Sequence, residues 1–505
     1  MNKAVRTVGF IAFATFLSKA MGMMRDVILA HEYGTSALLD AYMAASRIPV
    51  LFFDFTLGAA IVSTFIPVFN SYLRRDEKVH ANDFANSFIN LVLAVSAFFA
   101  IVGMVFSGFI VGVTAPGFSP EIQDITSKLL IIMLPSIVFT TLAYSMVGIL
   151  QSNGEYNIPA IISLVSNTVV IIYLVFLNKR FGIYGVAVAM LIGWALQAVV
   201  QVPSLIKKKF RYKFILDLKN EGIKDVFLLA VPVLISTWLQ PICVLINTIF
   251  ASFLETGSVA ALELANRLYI IVTGIFVFAI TNYIFPSLSR LSEKRSIPAF
   301  VNVMKKSLAS MLVIIAPIAA GMMLLSKEII LIVYARGQFD EKSVAFTSTA
   351  LFFYCIGMLP FGVNEILGKC FYALQDGKTP MVSTIFGIIT AVLFAFITTR
   401  FFHMGIGGLA LSASIAVMVV SVLLIYKMNK GDYKFINKNA VIFSAKIALA
   451  VLLCTGGGAA AKNLTARFGV WVQTFTAVLA AAVIYAAFLY LFKIEKYLKG
   501  AVNNG

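Results

Sequence analysis

Residues Ser18 to Asn70 read SKAMGMMRDVILAHEYGTSALLDAYMAASRIPVLFFDFTLGAAIVSTFIPVFN. The stretch is apolar enough for a bilayer interior, yet it carries Lys19, Arg25, Asp26, Asp40, Arg47 and Asp54. A charge at a bilayer centre costs about 2.5–3.5 kcal/mol on insertion scales, so such side chains belong against protein or in a wet cavity. The stretch therefore predicts membrane-spanning helices around a polar interior, with the rest of the chain as the wall of that interior.

Composition supports the same class. Of 505 residues, 60% are hydrophobic and 12% charged, and the mean hydropathy is +0.93. No water-soluble fold hides that much apolar surface, so most of the chain is solvated by lipid. The formal charge of +17 does not point to nucleic acid. The cations cluster in short loops between apolar runs, as in cytoplasmic loops facing anionic lipid. Cys243, Cys355, Cys370 and Cys454 lie inside apolar runs without metal-type spacing and read as small apolar side chains. Residues 1–20 mimic a signal peptide, but further spans follow at once, so they read as a retained first helix.

A span needs about 20 apolar residues. By that test the chain holds about fourteen transmembrane helices, near 5–30, 38–70, 84–112, 124–150, 157–178, 183–206, 224–252, 261–289, 306–334, 345–373, 380–402, 405–428, 440–461 and 468–492. Continuous rather than alternating runs exclude a β-barrel. Lys and Arg concentrate in alternate loops, including Arg74-Arg75, Lys207-Lys208-Lys209 and Lys294-Arg295. The bias predicts a multi-pass protein with both termini cytoplasmic.

The two halves of the chain look related. Gln151 and Gln375 lie in similar turns, and Phe181-Gly-Ile-Tyr-Gly185 resembles Met404-Gly-Ile-Gly-Gly408. Arg47 precedes Pro67 much as Arg267 precedes Pro286. The expected fold is all-α. An N-terminal six-helix lobe (1–206), a basic cytoplasmic linker (207–223) and a second six-helix lobe (224–430) precede two extra helices and a tail (431–505). Six is even, so the copies insert the same way up, related by an axis along the membrane normal. Two such bundles with a site between them suit alternating access.

Within the first helix Lys19, Gly22, Met23 and Asp26 share a face at helical spacing, with Arg25 about 100° aside. Lys19 and Arg25 suit a phosphate-bearing anion, since arginine offers a planar fork and lysine a point charge. Asp26 can hold them by pairing, and Gly22 lets the backbone bend or approach closely. Arg47 and Arg267 are further candidates for substrate contact. Asp26, Asp40 and Asp54 read equally as structural ion pairs, Lys19 equally as a snorkelling side chain, and Arg47 also as an interfacial anchor. His31 and Glu32 read as a solvated loop, Tyr334 to Phe339 as a turn, and Gly456-Gly-Gly458 as close helix packing. Glu365 is a polar residue inside a span, open to an ion-site or a structural reading. No catalytic residue, metal cluster or resident cofactor is expected.

These residues carry a resemblance. Ser18-Lys-Ala-Met-Gly-Met-Met-Arg-Asp26, Leu39-Asp-Ala-Tyr42, Arg47-Ile-Pro49, Phe65-Ile-Pro67, Ala265-Asn-Arg267, Phe285-Pro-Ser-Leu-Ser289, Tyr334-Ala-Arg-Gly337 and Phe371-Tyr-Ala-Leu-Gln-Asp376 with Thr379-Pro380 resemble the MurJ (MviN) family of lipid II flippases. That family lies within the multidrug/oligosaccharidyl-lipid/polysaccharide exporter superfamily. The resemblance implies fourteen helices, a cationic central cavity, and export of undecaprenyl-diphosphate-linked peptidoglycan precursor across the bacterial cytoplasmic membrane. It maps cavity arginines onto Arg25 and Arg267, puts Lys19 where an arginine is commoner, and matches Asp40 to a family aspartate. It gives the last two helices a groove for the polyprenyl tail. Phe53-Asp54 departs from an arginine pair of some members.

The expected partners are that lipid, the membrane and cell-wall synthesis proteins. The expected drive is the membrane potential, Na⁺ or H⁺. The alternatives are a flippase for another polyprenyl-linked saccharide and a cation-coupled multidrug exporter; the basic bias counts against the latter. A glycosyltransferase would need outer-loop carboxylates, for which Glu121 and Asp124 are the only pair, equally explained as a helix N-terminal charge bias. A non-transporting scaffold does not account for buried charge.

Overall fold

A computed structural model describes residues 3–56, 64–74, 78–217, 220–226, 239–430, 432–492 and 494, with side chains of 3–8, 12, 53–56, 78–79, 239–240 and 282 outside that set. Among the described residues every regular element is a helix. The chain divides into two compact units, Met1–Ala260 and Ala261–Gly505.

The first unit holds α1 (Lys3–Tyr33), α2 (Ala37–Thr56), α3 (Ile66–Arg74), α4 (Lys78–Val105), α5 (Ser107–Thr114), α6 (Pro120–Met133), α7 (Ser136–Ser152), α8 (Asn157–Phe176), α9 (Asn178–Val199), α10 (Val202–Lys207) and α11 (Leu239–Ala251). Helix α12 (Ser258–Glu293) starts within it. The second unit continues with α13 (Ile297–Leu324), α14 (Ser326–Val333), α15 (Glu341–Ile356), α16 (Met358–Ala373), α17 (Lys378–Arg400), α18 (Gly405–Lys430), α19 (Lys438–Leu464) and α20 (Val470–Leu491).

Ten helical stretches among the described residues are long and apolar enough to cross a bilayer, eleven with α15 and α16 as one bent span. The remaining expected spans, 5–30, 38–70 and 224–252, include positions outside the described set. Several boundaries differ from expectation. The span expected at 306–334 is two helices parted at Leu325. The one at 345–373 bends by 43° after Ile356. Pro360 lacks the N–H that would continue the ladder, and kinks follow such positions. The Ser414 hydroxyl donates to the Phe353 carbonyl at 2.7 Å, and Ser421 donates to that of Pro360 at 2.8 Å. A Cβ on Gly357 would lie 2.9 Å from Ser414 Oγ, so the bend and its donor come as a pair.

The core of the first unit includes an aromatic cluster. Phe65 stacks on Phe69 and Phe84 at 5.3 and 5.4 Å between ring centroids, with Phe88, Ile89 and Leu150 around it. In the second unit Phe443 and Ile447 of α19 pack with Ala309 and Ala316 of α13.

The two units repeat one construction. Helix α7 ends through Gly154 at φ 73° and α16 through Gln375 at φ 60°. In both, an amide reaches back five residues, Glu155 to Leu150 O at 2.8 Å and Asp376 to Phe371 O at 2.9 Å, a Schellman-type close. The following helices turn at Gly182 (φ 58°) and Gly405 (φ 56°). Three residues on, Gly185 lets the Tyr173 phenol approach, where a Cβ would meet Oη at 2.0 Å, and Gly408 does so for Thr398 Cβ at 2.8 Å. The structural counterpart of Gln375 is thus Gly154, not the Gln151 suggested by the sequence match.

Candidate functional site

The charges of the opening stretch fall into separate environments. Arg25 sits on α1, its side chain 12% exposed. Its Nε and Nη2 donate to Asp26 Oδ1 at 3.0 and 2.8 Å. Its Nη1 donates to Asn167 Oδ1 of α8 at 3.0 Å. The long arginine stem curls back across the 100° that separates neighbouring helical positions, so Arg25 and Asp26 form the pair themselves. The carboxylate, 6% exposed, offsets the guanidinium's charge, and the amide carbonyl fixes its plane. Charge-assisted bonds of this kind are stronger than neutral ones.

Asn167 also donates through Nδ2 to Ser18 O at 3.4 Å, so one amide grips α1 over two turns. The same patch of α8 continues to Ser166, whose hydroxyl accepts from Gln197 at 2.8 Å. Gly22 faces Asn167, but a Cβ there would lie 3.5 Å from Nδ2, an ordinary contact. The close approach expected of Gly22 is therefore not forced at this point.

Lys19 is exposed, and so is Arg267 on α12. Arg47 is half-buried on α2 with its Nε enclosed and without a hydrogen-bond partner among the described residues. The side chain of Asp54 lies outside the described residues. Asp40 does something the sequence did not indicate. Its Oδ2 accepts from Gly257 N at 2.6 Å and its Oδ1 from Ala260 N at 2.7 Å. The buried carboxylate (3% exposed) thus caps the N-terminus of α12 from another helix, where the helix dipole favours negative charge. Gly257 reaches that position only as glycine: its φ is 97°, and a Cβ would meet Thr35 O at 2.3 Å.

Other expectations meet mixed outcomes. Glu32 is not merely solvated, because Asn178 donates to its Oε2 at 2.8 Å and Tyr33 donates to Asn178. Residues 334–339 turn at Gly337 (φ 61°) beneath a fully buried Tyr334. Gly457 and Gly458 pack against Ile484 and Ala477 of α20, as expected of close helix contact. All four cysteines are buried and free. Asn167 was missed by sequence reasoning. Its signal was available: Ser166-Asn-Thr168 interrupts an otherwise apolar run.

Comparisons with known proteins agree with one another. The sequence model of a family described as "Lipid II flippase MurJ" matches residues 29–480. A protein of Buchnera aphidicola subsp. Schizaphis graminum named "Probable lipid II flippase MurJ" is 30% identical over 459 residues, covering 90% of this chain and 88% of its own. A like-named protein of Thermotoga maritima is 26% identical and covers 98% of each. A solved lipid II flippase MurJ in an inward closed conformation superposes with a TM-score of 0.80 at 26% identity, over 95% of this chain and 99% of that one. A multidrug resistance MATE family transporter of the MOP superfamily shares the fold at a TM-score of 0.69 and 15% identity, over 88% of this chain and 99% of that one.

Proposed function

The chain belongs to the MurJ lipid II flippase family, and from that premise we propose that it moves lipid II by alternating access, with Arg25 as the fixed cation that receives the diphosphate. It is a transporter of the lipid-linked peptidoglycan precursor and not an enzyme. The observation that carries the reading is the guanidinium of Arg25, held in an apolar helix by Asp26 and Asn167. A cation kept so costly a place has a use there, and its planar fork matches phosphate oxygens.

In the cycle, Lys19, Arg25, Arg47 and Arg267 attract the diphosphate and sugar head at the inner leaflet of the cytoplasmic membrane. The undecaprenyl tail stays in lipid along α19 and α20. Neutralising the cations lets the protein close inward and open outward, the head group leaves, and the re-exposed positive charge favours return. A negative-inside potential supplies about 2.3 kcal/mol per charge per 100 mV and drives one leg. Both termini are cytoplasmic, and cell-wall synthesis proteins are the expected partners.

Arg25→Ala and Arg267→Ala should each abolish export of the precursor, followed by its accumulation on the inner leaflet after depletion of the wild type, while membrane insertion stays normal. Wild-type export by Arg25→Ala would remove this mechanism.

A further inference from the structure

The connection after α10 is not a loose basic loop. It turns at Lys209 (φ 61°), where Phe210 N donates back to Leu205 O at 3.1 Å. Residues 210–217 then run without helix along α4, and their backbone is held by three side chains of that helix. Asn86 donates to Arg211 O at 3.1 Å and accepts from Lys213 N at 3.0 Å. Asn90 donates to Lys213 O and Ile215 O at 3.1 and 2.8 Å. Asp217 N donates to Ser87 Oγ at 3.2 Å. The bonded residues are 211, 213, 215 and 217, with a tight turn centred on Phe214, where Ile215 N donates to Lys213 O at 3.0 Å. Phe210 and Ile223 pack into the aromatic cluster on either side, and Lys208 Nζ donates to Asn153 O at 2.8 Å.

A strap so firmly pinned, with the Tyr212 hydroxyl itself donating to Asn90 Oδ1 at 2.6 Å, nevertheless leaves much apolar surface outside. Phe214 is 83% exposed, Tyr212 58% and Leu216 51%, next to Ile206 at 68%. Among them stand Lys207, Lys208, Lys209, Arg211 and Lys213, all exposed, with Asp217 the one carboxylate of residues 207–217. The strap begins where the helical stretch Asn178–Lys207, long enough to cross a bilayer, ends. Aromatic side chains interleaved with cations at such a level fit one environment, an anionic headgroup layer with hydrocarbon just below.

We propose that residues 207–217 form a preformed binding site for anionic phospholipid headgroups of the inner leaflet. The phosphates lie on the lysines and Arg211, and Phe214 and Leu216 enter the acyl boundary. The backbone is ordered in advance by Asn86, Ser87 and Asn90, so docking costs little conformational entropy. The choice of leaflet rests on the orientation proposed above.

The test uses the full chain in nanodiscs with Phe214→Cys carrying a bimane. The native cysteines are all buried, so the label goes to the new site. With phosphatidylglycerol present, bimane emission should shift to the blue and be quenched by lipids spin-labelled near the headgroup, and high salt should reverse both. In pure phosphatidylcholine the label should stay wet. Replacing Lys208, Lys209, Arg211 and Lys213 by Gln should lower the docked-to-free ratio about fivefold per cation. Equal emission and quenching in the two lipids, wet or dry, overturns the proposal. A second arm labels Glu221→Cys, exposed just beyond the strap, with an impermeant thiol reagent in spheroplasts and inverted vesicles. Labelling from inverted vesicles alone supports the inner leaflet. Labelling from spheroplasts overturns the orientation and the leaflet, while the lipid arm still decides the site itself.

Discussion

Replacing Asp40 by Ala should destabilise the protein at the start of α12, far along the sequence from the substitution. The carboxylate accepts from two backbone amides, Gly257 N at 2.6 Å and Ala260 N at 2.7 Å. Hydrogen bonds to a charged group contribute about 1.5–3 kcal/mol each. One carboxylate serves both, so the lower end, about 3 kcal/mol in total, is the expected loss. No solvent takes over, because Asp40 is 3% exposed. At about 2–4 °C per kcal/mol for a unit of this size, the midpoint of thermal unfolding should fall by about 6–12 °C. Asp40→Asn keeps one acceptor oxygen and should lose about half as much. Heating the detergent-purified protein and following its monodisperse fraction by size-exclusion chromatography measures both. An Asp40→Ala protein as heat-resistant as wild type would refute the capping role.

Gly257→Ala should be at least as damaging as Asp40→Ala in the same assay, since the residue has a positive φ and Thr35 O stands 2.3 Å from the new Cβ. Half-buried Lys462 and buried Glu328 form an ion pair at 2.8 Å, and Lys462 also donates to Leu324 O at 3.2 Å. Lys462→Met or Glu328→Gln alone should therefore cost about 1–3 kcal/mol, less than breaking a fully buried pair because Lys462 keeps some solvent contact, and the double variant less than the sum; a purely additive pair would deny the coupling. Asp340 caps α15 by accepting from the amide and hydroxyl of Ser343, and these bonds hold its carboxyl below the usual carboxylate range. Its stabilising effect should be complete above about pH 4, the unfolded value, and vanish as pH falls through the lower folded value. The wild-type advantage over Asp340→Asn in unfolding midpoint, measured against pH, should shrink in that direction only.

Much of this fold was legible from hydropathy alone, because lipid forces apolar runs into helices and leaves few alternatives. The breaks were harder to read. Leu325 has no proline or glycine beside it, and the Lys462 ammonium that donates to Leu324 O comes from 138 residues away. Pro360 carried a signal for the bend that the single span expected at 345–373 did not use, and its position does not identify Ser414, whose hydroxyl donates to Phe353 O. At the candidate site, the buried charges identified Arg25 and Asp26, since charge in an apolar run is a strong signal. Asn167 is 142 residues from Arg25, a pairing that spacing within one helix cannot suggest. The capping role of Asp40 was illegible for a related reason: the amides it accepts from lie 217 and 220 residues away.

The repeated glycine turns differ in what holds them shut. In the first, the Tyr173 hydroxyl donates to Gly182 O at 2.8 Å; in the second, Met404 N donates to Thr398 O at 3.0 Å, main chain to main chain. A single oxygen atom, deleted by Tyr173→Phe, can loosen the earlier hairpin. No exchange of side chains short of proline can remove the corresponding fastening from the later one. Genetic variation can therefore soften these twin corners unequally, and any motion that relies on them can be tuned from one half of the sequence only.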